Sequence, residues 1–177
     1  MNEVGHFDLL FTVLYAAIVV DIFHTIAKAP LSSFEFLLGT TLLVVVVDHW
    51  LLHFRNHTEI NQHKYFSLVT VGLTLFFYAK ANEILSTRGK ALLEGQHFWF
   101  WIILMFCTSY VMKWYYKADK SFHRIWDFIA IAACTVYILG IHCCGWTNGI
   151  TLGAMSLGLA VAYVPFEWRH YRFHSAG

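Results

Sequence analysis

The sequence predicts an all-α integral membrane protein with six transmembrane helices, and three observations carry that prediction. Of its 177 residues, 58% are hydrophobic and only 13% are charged, whereas a soluble domain covers its surface with about a quarter charged residues. The mean hydropathy is +0.55. Six apolar runs of the length needed to cross a bilayer, about 20 residues, follow one another at 7–27, 34–54, 65–85, 98–116, 125–144 and 149–168. Charged and turn-forming residues collect in the separators.

Each run has its own signature. The first begins behind an acidic rather than basic N-terminus and lacks a small-residue cleavage site, so it is expected to stay as a span and not to be removed as a leader. Before the second run, Ser32 or Ser33 is placed to cap a helix N-terminus. Runs two and four contain 42–47 and 98–107, which show no polar face at helical spacing. Only Gly145-Trp146-Thr147-Asn148 separates the fifth and sixth runs, which predicts an antiparallel helical hairpin there. The sixth carries Gly149, Gly153 and Gly158 among alanines, a face for close helix packing within the protomer or across a dimer. With no linker or low-complexity tract, residues 1–177 read as one domain.

Orientation follows from Lys and Arg in short loops. Arg55, Lys64, Lys113, Lys117, Lys120, Arg124, Arg169 and Arg172 fall on one side, eight in all, against Lys28, Lys80, Arg88 and Lys90 on the other. This places both termini in the cytoplasm. Trp114, Tyr115, Tyr116, Trp126, Trp168 and Tyr171 mark the boundaries, where amphipathic rings settle at the interface. A bacterial inner membrane is the expected location and the lipid bilayer the first partner. A net charge of +1 supplies no field for nucleic acid.

Ionisable residues inside a span are costly unless paired or wet, so each is a candidate site. The first run contains Asp8, Asp21 and His24, and the second Asp48, His49 and His53, followed by His57. His49, His53 and His57 recur every four residues and share one helix face. At 1.5 Å per residue, Asp8 and the His49/His53 pair both lie within about 9 Å of the cytoplasmic end, which favours Asp8 as their partner. Asp21 lies roughly 10 Å further out than Asp48 and is expected to pair with His24 or with a later helix.

Three readings of these groups stand side by side. They hold helices together by hydrogen bonds, they form a proton or cation path with histidines that titrate near neutral pH, or they bind a metal or haem. For the last, His49, His53 and His57 are the candidate ligands, with His142, Cys143 and Cys144 as a soft-metal trio at the opposite side. Neither a double-histidine box of the membrane desaturase type nor a matching cysteine cluster supports it. No catalytic residues are expected, because the chain has no nucleophile elbow, Walker sequence or dinucleotide fingerprint. Cys107 and Cys134 read as small core residues.

The first helix, His6-Phe7-Asp8 through Phe11 to Asp21-Ile22, resembles the signature helix of the TMEM175 family of lysosomal and bacterial cation channels. The second, with Asp48-His49-Trp50 and His53, is similar to the Trp- and His-bearing second helix of that family. Phe7 stands where that signature has serine, and His6 where it has phenylalanine. The resemblance implies a homo-tetramer whose first helices line a pore, with Val13, Ala17 and Val20 as the constriction and Asp8 with His49 or His53 setting the position of the helix. It implies conduction of potassium ions or protons without a cofactor. A histidine-liganded metalloenzyme or haem protein, and an effector or subunit of a larger system, are the alternative readings.

Overall fold

The computed structural model is all-helical in its described residues, whose backbone covers 3–29, 33–55, 64–86, 93–115, 121–146 and 149–174 and whose side chains cover a smaller set within these. Six helices follow in order: α1 Glu3–Lys28, α2 Phe34–Arg55, α3 Lys64–Ser86, α4 Leu93–Tyr115, α5 Ser121–Cys144 and α6 Gly149–His174. All six overlap the apolar runs, and α1, α4, α5 and α6 extend past them by several residues. Apolarity tells where a chain can be buried, while a helix continues until a cap or turn residue stops it.

Among the described residues, four helices are long and apolar enough to cross a membrane, over Leu9–Lys28, Phe34–Leu51, Tyr65–Ser86 and Asp127–Cys144. Within the described residues of α4 and α6 the apolar stretches are shorter, His97–Met112 and Ile150–Tyr163. Large apolar side chains cover the outside, among them Leu9, Phe23, Phe128 and Val161. Patches of that extent need a lipid or protein cover.

Local signals explain several boundaries. Ser33 caps α2: its hydroxyl accepts the Phe36 N–H at 3.2 Å, and its carbonyl accepts the Leu37 N–H. At the end of α5, Gly145 takes a φ of +62°, which a glycine adopts without penalty. The Trp146 N–H then reaches back to the Gly140 carbonyl at 3.1 Å, and the indole lies on Gly140, where any side chain would collide with it.

Packing departs from the order of the chain. The α3–α4 and α4–α5 pairs are extensive neighbours, α6 lies along α2, and α1 packs on α2 and α3. The expected hairpin of the fifth and sixth helices is therefore corrected: α5 and α6 are joined by a short turn but scarcely touch. The glycines explain why. A Cβ on Gly153 would sit 2.8 Å from Leu37 Cβ, so glycine lets α6 settle directly on α2. Gly39 plays the same part between α2 and Ile26 of α1.

These contacts predict opposite outcomes for two identical substitutions. Gly153→Ala overpacks against a Cβ that cannot swing away and lowers stability by about 1–2 kcal/mol. Gly158→Ala, with nothing within 4 Å of the new atom, leaves stability unchanged or raises it by up to about 1 kcal/mol through helix propensity. Melting temperatures of the two variants in mild detergent check this.

The larger buried cluster draws on all six helices, with Ile22, Leu42, Tyr78, Met105, Cys134 and Leu152 among its members. A smaller one joins Phe11 and Tyr15 of α1 to Val71 and Leu75 of α3. Cys107 is half-buried, Cys134 is buried, and all four cysteines are free thiols.

Candidate functional site

The inward face of α1 is Phe11, Tyr15, Ile18, Ile22 and Ile26, spaced by four and three residues as one helix stripe. The opposite stripe is uncovered. Val13 is 57% exposed and Val20 67%, and Ala17, Asp21 and His24 are exposed with them. The three constriction residues named by the resemblance therefore share a single face, turned away from the protomer. Asp21, the residue after Val20, and His24, about one turn beyond Val20, continue that face.

Asp21 is tied back to the bundle. The buried Asn82 side chain of α3 donates to Asp21 Oδ2 at 2.6 Å, a charge-assisted bond at the short end of the range. Of the two partners expected for Asp21, the later helix supplies the one the structure brings to it. Asn82 Oδ1 is buried and has no hydrogen-bond partner among the described residues.

Asn82 ends a polar row that the sequence reading missed. Ser67, Thr70, Thr74, Tyr78 and Asn82 are all buried and recur at intervals of three and four, so they form one stripe about 22 Å long on α3. Burial of hydroxyls in an apolar bundle requires partners. Thr70 and Thr74 donate to the carbonyls of Phe66 and Thr70, each at 2.9 Å.

Around this row stands a cluster of ionisable groups. His49 Nδ1 and the Tyr78 hydroxyl share a hydrogen bond of 2.9 Å. The imidazole also meets the Tyr78 and Phe106 rings edge-on, at 5.9 and 6.0 Å between centroids. Asp48 is 3% exposed and Asp127 fully buried. Both lie close enough for their charges to act on Tyr78, as does the Tyr15 hydroxyl. Ser109 of α4 donates weakly to both oxygens of Asp127, at 3.4 and 3.5 Å. Two acids, an imidazole and two phenols, supplied by α1, α2, α3 and α5, are thus buried in the bundle beside the polar row of α3. These are groups that hold or exchange protons.

The sequence singled out Asp48 and His49 here, and the structure adds the polar row of α3, Ser109 of α4 and Asp127 of α5. The signal for α3 was present as polar residues at helical spacing. For Asp127 it was a single acid inside an apolar run, masked by its nearness to the basic loop before it. The side chains of Asp8, His53 and His57 lie outside the described residues, and the Asp8 pairing with them. Among the described residues no group of three or more His, Cys, Asp or Glu could hold a metal ion. Cys143, Cys144 and His142 are exposed and do not form such a group.

Comparison of the chain with family models, with curated proteins and with solved structures finds no match.

Proposed function

We propose that the chain crosses the membrane six times with both termini in the cytoplasm, and that it assembles with copies of itself into a cation channel for potassium ions or protons. The observation that carries this reading is the uncovered stripe of α1. An apolar helix face ending in Asp21 and His24 is poorly matched to lipid, where an ionisable side chain is costly. The same face repeated around a closed ring is well matched to a pore.

In such a ring, Val13, Ala17 and Val20 form an apolar constriction that blocks ions when it dries and passes them when it wets. The Asp21 carboxylates form a ring at the outer end of the constriction and concentrate cations. Asn82 fixes the direction of each carboxylate, since its amide holds Oδ2. The buried cluster of Asp48, His49, Tyr78 and Asp127 joins the helices behind α1. The eight-to-four distribution of basic residues supports the orientation.

Assembly is tested by the mass of the protein in mild detergent, measured by light scattering with the detergent subtracted. A multiple of the 20.5 kDa protomer is expected, four if the resemblance extends to the assembly. A monomer at all concentrations contradicts a pore lined by α1.

A further inference from the structure

The splay of α5 from α6 leaves a cleft. Its floor is α2 and α4 and its walls are α5 and α6, with a cavity of about 80 Å³ lined by Trp99, Phe106, Ala133, Tyr137, Ala160, Tyr163 and their neighbours. No charged side chain lines it; the polar groups are hydroxyls, the Cys134 thiol and the indole of Trp99. On α5 the lining runs from Ile129 to Tyr137, about 12 Å of helix rise.

We propose that this cleft is a binding site for one hydrocarbon chain of a membrane lipid, inserted sideways between α5 and α6. The inference rests on the reading that these helices cross a bilayer. Three features select that occupant. The lining lies in the middle of apolar helices, at the depth where the surrounding solvent is acyl chain. At about 80 Å³ the cavity is too small for a helix of 10–12 Å diameter from another copy but can take part of a slender flexible chain. Its apolar walls do not hold water, and left empty they forfeit dispersion contacts on one side. The small side chains Ala133 and Ala160 on facing walls keep it open.

Trp99 is 2% exposed and reports on the site. The protein is reconstituted in phosphatidylcholine vesicles whose acyl chains carry bromine, a contact quencher of indole fluorescence. The Trp99 contribution is isolated as the difference between the native protein and Trp99→Phe. A chain in the cleft quenches Trp99 as strongly as the surrounding lipid quenches the exposed Trp114, isolated in the same way. Ala133→Phe and Ala160→Phe, made separately so that one misfolded variant does not decide the matter, fill the cleft and restore Trp99 emission. Trp99 emission unchanged by brominated chains, in protein that resists alkaline extraction from the vesicles, overturns the cleft proposal alone. Protein released by alkaline extraction overturns the membrane reading and the cleft with it.

Discussion

Ala17→Trp is expected to reduce cation flux through the reconstituted protein by about tenfold or more, each decade corresponding to about 1.4 kcal/mol of added barrier. The argument is geometric. Ala17 is the smallest of the three residues on the uncovered stripe of α1, one turn from both Val13 and Val20. Around a closed ring its substitution adds an indole from every protomer at the same level. The narrowest part of an apolar constriction sets the cost of wetting it, so the loss is far larger than one added side chain would produce elsewhere. Ala132→Trp is the matched control. Ala132 is exposed on α5, away from the α1 stripe, and its substitution leaves flux at the native level. Equal flux for native protein and Ala17→Trp, with assembly intact, would remove α1 from the pore.

Tyr78→Phe is expected to lower stability by about 1–3 kcal/mol, the cost of withdrawing one partner from a buried polar group. The hydroxyl lost is the one bonded to His49 Nδ1, and the imidazole that keeps its place is almost fully buried. The double variant Tyr78→Phe with His49→Leu recovers part of the loss, because it removes the donor and the acceptor together. Non-additivity of that size marks residues in direct contact. Thermal unfolding in detergent of the native protein, the two single variants and the double variant measures it. Strict additivity would show that the two side chains do not depend on each other.

Much of the fold was legible because the strongest signal in this chain is length of apolar sequence. Every helix falls on a predicted run, and a serine cap at Ser32 or Ser33 and the turn at Gly145 read directly from local chemistry. The neighbours of each helix were not legible. Chain order suggested that the short turn at Gly145 would pair α5 with α6, but Gly153 admits Leu37 and draws α6 to α2. Such a preference depends on the shape of two faces that are distant in sequence. The same limit applies to the site. Asp48 and His49 stood out as charges inside an apolar run, and depth alone directed His49 or His53 towards Asp8. Depth does not say which face a side chain takes, and the structure turns His49 to Tyr78 of α3. Thr70 and Thr74 were overlooked because a threonine in a span satisfies itself on its own backbone and adds little polarity to the run. Their meaning appears only when Ser67, Tyr78 and Asn82 are seen on the same buried stripe.

Cation flux through the purified protein in sealed liposomes, measured with potassium and proton gradients at several pH values, tests the central claim most directly. A flux above that of empty vesicles, reduced by Ala17→Trp and unaffected by Ala132→Trp, is the predicted result. No flux above empty vesicles for either cation at any pH, from protein shown to be folded and inserted, would contradict it.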